Sequence, residues 1–438
     1  MKPFSLLLGA ASLLALAAAA QAQEITIATV NNGDMIRMQA LTPEFNAQHP
    51  DIKVNWVTLE ENVLRERVTT DIATQGGQYD ILTIGNYEVP IWAKQGWLVD
   101  LDGKLGDQYD VDDLLPAIRG GLSVDGKLYA SPFYGESAFL MYRADLMEKA
   151  GLTMPETPTW EFIGEAARKM TDREAGINGI CLRGKAGWGE NMALVGSLAN
   201  SFGARWFDEN WQPQFDSPEW KAALQFYADI MKDAGPTGAS SNGFNENLTL
   251  FQQGKCAMWV DATSAGSFVS DPDQSTVADK VAYTIFPDAN GTGNHGNWLW
   301  SWNLAIPATS KNAEAAQTFI AWATDKAYTE LVASKEGWAN VPPGTRTSLY
   351  ENKNYLDAAS FADEAKAAMD AADITKPTVK PVPYTGGQFV AIPEFQALGT
   401  AVGQIVASVV AGQTSVDDAL AQAQAQSVRE MTRAKYIK

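Results

Sequence analysis

The chain has 438 residues, 46% of them hydrophobic and 19% charged, which is length enough for two or three domains around buried cores. Its 33 Lys and Arg stand against 52 Asp and Glu, a net charge of −19 that argues against nucleic acid and anionic membrane as partners. Only two histidines and two distant cysteines occur, too few for a transition-metal cluster.

The opening MKPFSLLLGAASLLALAAAAQAQ sets one Lys before an apolar run ending in Ala20-Gln21-Ala22. That is the pattern of a cleaved secretory signal, so residues 1–22 are read as the signal and the mature chain as starting near Gln23. No cysteine follows the run to carry a lipid, and no later stretch nears the roughly 20 apolar residues that cross a bilayer. An exported, soluble product with no direct membrane insertion is expected. Export also favours a disulfide between Cys181 and Cys256 over two buried thiols.

EITIATV (24–30) predicts a strand, and NNGD turns it into a helix through MIRMQALTPEFNAQ. IKVNWVTL predicts a second strand, NVLRERVTTDIATQ a helix, YDILTIG a third strand, and NYEVPIWAKQG a short helical piece. Strands alternating with helices imply an α/β fold with a mostly parallel sheet. Ligands of such sheets sit beyond the carboxyl ends of the strands, which nominates Asn31, Asn32, Asn86, Tyr87 and Glu88. Further on, AFLMYR follows Glu136 as a strand, and Pro158-Thr159 opens an amphipathic helix. INGICLRG (177–184) and KCAMWVDA (255–262) predict strands of a second unit, with helices such as SPEWKAALQFYADIMKDAG between them. SKNAEAAQTFIAWATDKAYTELVAS reads as one helix, and the alanine-rich DEAKAAMDAAD and DDALAQAQAQ as solvated surface helices.

Three motifs dissolve on inspection. GTGNHG (291–296) has the letters of a dinucleotide loop but is followed by an aromatic strand instead of a helix N-terminus, so no cofactor is expected. DPDQSTVAD lacks the glycine and terminal glutamate of a calcium loop. Glu136 and Asp261 are conceivable as the acid pair of a secreted glycoside hydrolase, although nothing in their spacing demands it. The 14 tryptophans are more telling, because several stand among polar residues: Trp188 in GWGEN, Trp259 in AMWVDAT, and Trp298, Trp300 and Trp302 in GNWLWSW. The last three alternate and share one strand face. Tryptophan mixed with Asn, Asp, Glu and Arg suits a polyhydroxylated ligand, whose C–H faces lie on rings while its hydroxyls meet polar groups.

These stretches, in this order, resemble the extracellular solute-binding proteins of carbohydrate importers of the ATP-binding-cassette type, the maltose-binding-protein-like family. The resemblance is carried by the opening strand and helix, QYDILTIGNYEVPIWAKQGWLVDL, KLYASPFYGESAFLMYRADLMEKAGL with PTWEF, FQQGKCAMWVDATS, WNLAIPATSKNAEAAQTFIAWAT and VVAGQTSVDDALAQAQ. GICLRGKAGWGEN, KCAMWVDAT and GNWLWSWNLAIP look like the sorbitol/mannitol-binding branch. The resemblance implies two α/β lobes with a ligand cleft, crossed by the chain near Phe133–Ser137, His295–Trp302 and Pro342–Ser348. One lobe would comprise 24–134 and 299–345, the other 137–297 and 348–438. Both cysteines fall in strands that it puts in one sheet system. Glu136 matches a position where relatives hold sugar hydroxyls, Asp261 and Arg346 match other ligand-facing positions, and Asn86-Tyr87-Glu88 match a ligand-contacting turn. Trp300-Ser301 replaces a small glycine pair of many relatives, which narrows the cleft. The resemblance makes this strand the second crossing with one face towards the cleft, so Trp298 and Trp300 are read as cleft wall and Trp302 as core. The implied function is capture of a polyol or small sugar for a membrane permease, by a monomer of the periplasm. The alternatives are another sugar or an anion such as glycerol phosphate, for which Arg183, Lys185 and Arg346 would be the binding cations.

Overall fold

The computed structural model describes residues 23–289 and 291–438, so the proposed signal lies outside the described residues. Among the described residues, ten strands run in chain order: β1 (Gln23–Val30), β2 (Ile52–Leu59), β3 (Ile81–Gly85), β4 (Ser123–Val124), β5 (Lys127–Leu128), β6 (Ser131–Glu136), β7 (Ala138–Arg143), β8 (Met258–Ala262), β9 (Val281–Ile285) and β10 (Trp300–Ala305). The first sheet has the order β2-β1-β3-β10-β6. Its first three strands are parallel, as expected from their alternation with helices Gly33–Gln48 and Glu61–Ala73. β10 returns from far along the chain and pairs antiparallel with both β3 and β6.

The second sheet has the order β8-β7-β9 and both ladders are antiparallel. Residues 177–184 form no regular strand here. They touch the segment leading to and along β8 through parallel bridges at Asn178–Cys256 and Cys181–Trp259. The reason is local: Gly179 lies against the carbonyl of Ala167, and Gly184 against that of Ala239, so the backbone is drawn away from a continuous ladder. Cys181 and Cys256 form a disulfide across this seam, with Cα atoms 5.9 Å apart.

Helices follow their sequence signals. Thr159 caps Trp160–Met170 by accepting from the amide of Phe162, and Ser415 caps Val416–Arg433 by accepting from that of Asp418. The run 313–336 is two helices, not one, because Asp325 takes an extended conformation and caps the second by accepting from Tyr328. The alanine-rich helices are half-sunk: Ala365 and Met369 in one, and Leu420, Ala423 and Met431 in the other, are buried. No helix of the described residues is long and apolar enough to cross a membrane.

The chain passes between the sheets without a loop at Glu136–Ala138, where β6 ends and β7 starts. It returns between β9 and β10. A third passage, at 342–346, lies beside the first: the amide of Gly135 donates to Pro343 O at 2.9 Å. Each of Gly135 and Gly344 stands where a Cβ would collide with the other's backbone, and Gly344 has φ +77.

Candidate functional site: an indole-walled cavity between the sheets

Strand ends and loops from both sheets converge on a cavity with about 80 Å³ open to the centres of water-sized groups. One side is built by the ends of β1 and β2, which deliver Asn31, Asn32, Glu60 and Glu61, and by Arg65 on the helix after β2. The facing side carries Arg183, Lys185, Trp188 and Glu190, with Phe244 at the start of helix Phe244–Gln252. Tyr134 and Glu136 come from β6. All three alternating tryptophans, 298, 300 and 302, line it, so Trp302 is wall and not only core.

Arg65 fixes the aromatic wall. Its guanidinium lies 4.0 Å from the ring centre of Trp188, 4.6 Å from Trp302 and 5.0 Å from Trp300. It donates to Glu61 and to Glu88, both at 2.9 Å. Glu88 also accepts from the amide of Gly85, and burial raises its carboxyl pKa against the pull of Arg65. On the facing side, Arg183 grips Asp261 through two nitrogens, at 2.6 and 2.9 Å, and donates to Gly189 O. Its guanidinium stands 5.5 Å from the Trp298 ring centre.

Two carboxylates at the cavity are unusual. Glu136 is pushed up to about 8, chiefly by burial; Ser264, which donates to it at 2.6 Å, and Arg183 oppose this. Glu190 is raised to about 7, by burial and then by the neighbouring charge of Glu61. The indole N–H groups of Trp188 and Trp298, and Oε2 of Glu190, are buried without a hydrogen-bond partner. Native interiors seldom leave such groups unpaired, and among the cavity-lining residues these three have hydrogen-bonding capacity unspent.

Asn31, Asn32, Glu136, Arg183, Trp188, Trp298 and Trp300 are thus brought to one cavity. Asn32 is half-committed: it caps Gly33–Gln48 by accepting from Met35 and donates to the Tyr134 hydroxyl. Six other nominees lie off the cavity. Asn86 donates to Leu299 O and accepts from Ser301, so it fastens β10 to the turn after β3. Tyr87 donates to Ile392 O, and Glu88 sits behind Arg65. Asp261 is wholly buried behind Arg183, where the Trp259 indole donates to it at 3.0 Å. Arg346 is drawn to the carbonyls of Thr324 and Asp110 in another part of the first sheet's surroundings. Sequence reasoning missed Glu60, Glu61, Arg65, Tyr134 and Glu190. The pair Glu60-Glu61 follows β2 just as Asn31-Asn32 follows β1, and that signal was readable.

Two main sheets, three chain passages and a polar, indole-walled cavity between them define a two-lobed receptor for a small solute. The chain belongs to the bacterial extracellular solute-binding protein family, whose model matches residues 32–330. It is 58% identical over 430 residues, 98% of each chain, to the mannitol-binding protein of Pseudomonas aeruginosa. It resembles the crystal structure of an ABC transporter solute-binding protein of Agrobacterium vitis with bound D-mannitol, at 65% identity and a TM-score of 0.94 over 95% of this chain and 100% of that one. A ribitol complex from Agrobacterium radiobacter, 24% identical with a TM-score of 0.82 over 94% and 99% of the two chains, shares the fold. The protein is a binder and not an enzyme, which removes the glycoside hydrolase alternative.

Proposed function

We propose that the protein captures a linear hexitol, mannitol or sorbitol, between its two lobes and delivers it to an ATP-binding-cassette permease, as a monomer in the periplasm. The lobes are taken as 24–134 with 299–345 and 137–297 with 348–438. The observation that carries the reading is the cavity, small and lined by both indole faces and buried polar groups. A hexitol presents a hydroxyl on every carbon, each able to donate and accept. Such a ligand answers orphan donors on Trp188 and Trp298 and an orphan acceptor on Glu190 at once. Similarity to two proteins whose names state mannitol supports the same class. Glu136 and Arg183 are proposed contacts, with Arg65 added as the group that holds the tryptophans. The anion alternative is disfavoured, because Arg183 and Lys185 already face carboxylates.

Calorimetry with mannitol, sorbitol, glucose, maltose and glycerol phosphate tests this. A hexitol is expected to bind tightest. Preference for maltose or glycerol phosphate sinks the reading.

A further inference from the structure

The charges around the cavity do not balance. Glu60, Glu61, Glu136, Glu190 and Glu246 line it, against Arg65, Arg183 and Lys185. The cations are committed: Arg183 to Asp261, Arg65 to Glu61 and Glu88, and Lys185 to Glu60 and Glu190. One ionised carboxylate has acceptor capacity left. Glu136, raised to about 8 by burial, holds its proton at neutral pH and receives the Ser264 hydroxyl. Glu190 stands 3.3 Å from Lys185 through one oxygen, while its buried Oε2, 3.8 Å from Arg183, accepts no hydrogen bond.

A ligand hydroxyl satisfies such an acceptor. A protonated amine does so too, and adds the attraction of opposite charges that a hydroxyl lacks. It also returns a positive charge to a place where burial penalises carboxylates. An ammonium has donors only. It cannot serve the orphan indole N–H groups of Trp188 and Trp298, which need acceptors. Hydroxyls on the same molecule can. A ligand acid or phosphate meets the reverse situation: its charge faces the open oxygen of Glu190, and every nearby cation already has a carboxylate partner.

Resting on the polyol reading above, we propose that this cavity takes amino-polyols, linear polyols bearing one protonated amine, as a second ligand class and excludes polyol acids of the same length. The amine would meet Glu190 Oε2, and the hydroxyls the two indoles.

Calorimetry on the intact protein at neutral pH, with D-mannitol, 1-amino-1-deoxy-D-mannitol and D-mannonate, tests it. The amine is expected to bind at least as tightly as mannitol, and mannonate about a hundredfold more weakly. Glu190→Gln is expected to lower affinity for the amine about tenfold more than for mannitol. If that variant does not fold, the wild type carries the comparison through pH: affinity for the amine should fall between pH 8 and pH 5, as Glu190 takes up a proton, while affinity for mannitol should not. An amine weaker than mannitol, mannonate as tight as mannitol, or equal losses for the two ligands in the variant overturns the inference. Tight mannitol with a weak amine removes the inference alone, whereas binding of neither ligand removes the polyol reading with it.

Discussion

A methyl group on Gly85 would collide with the outer edge of the Trp300 indole. The ring therefore keeps its place in the cavity wall because β3 ends in a residue without a side chain. Gly85→Ala should push the indole inward and weaken hexitol binding about tenfold or more, though it removes no cavity-lining atom. Overpacking of this kind also costs about 1–3 kcal/mol of stability, readable by urea unfolding. A mutant with wild-type affinity would show that the indole position is not critical. Glu136 gives a second residue-scale expectation. Its carboxyl is raised from 4.5 to about 8 in the folded chain, by burial first and with help from Asp261 and Glu61. Between those values the folded state holds a proton that the unfolded state has released, so stability falls as pH rises through that window. Glu190, raised to about 7, and Asp34, raised to about 6 by burial, act in the same sense. The ligand-free protein should therefore melt several degrees lower at pH 8 than at pH 5, and Glu136→Gln should flatten that slope. An unchanged slope in the variant would show that Glu136 does not carry it.

Among the elements, the disulfide holds the irregular segment 177–184 against β8 and closes a separation of 75 residues. Replacing both cysteines by serine should cost about 2–4 kcal/mol in urea unfolding. Mannitol affinity should change less than tenfold, because Arg183 is independently gripped by Asp261. A large loss of affinity would mean that the disulfide positions the cavity itself. Most elements were legible in the sequence, because strands and helices here carry clean period-two and period-3.6 patterns and good caps. The alternation of Trp298, Trp300 and Trp302 announced a shared face. The cavity was legible only in part. The strand-end rule works for β1, yet at β3 the inserted β10 covers the turn, so Asn86 spends its amide on Leu299 and Ser301. Which strand ends stay open is decided by a pairing 215 residues away, and no local pattern encodes it. Arg346 illustrates the same limit: a buried guanidinium goes where carbonyls are, and Thr324 and Asp110 supply them.

At the scale of the whole molecule, the cleft is bridged directly. Lys185 pairs with Glu60, Asn62 donates to Ala186 O at 3.2 Å, and Asn245 donates to Asn31 O at 3.3 Å. On the proposed lobe division all three span the two halves, so they exist only while the halves are together. Ligand that touches both sides should favour that arrangement. Saturating mannitol should therefore reduce the scattering radius and alter tryptophan emission, since four indoles line the cavity. No change in either quantity would rule out closure on this ligand. The same interleaving governs how the molecule is made. β10 lies in the middle of the first sheet, between β3 and β6, although it is the last strand of the chain. Until Trp300–Ala305 leaves the ribosome, β3 and β6 have no partner on their facing edges, and the first sheet cannot close. Nascent chains therefore spend most of their synthesis with that sheet in two unjoined parts, a state whose bare edges invite chaperones and which stays threadable through a narrow pore.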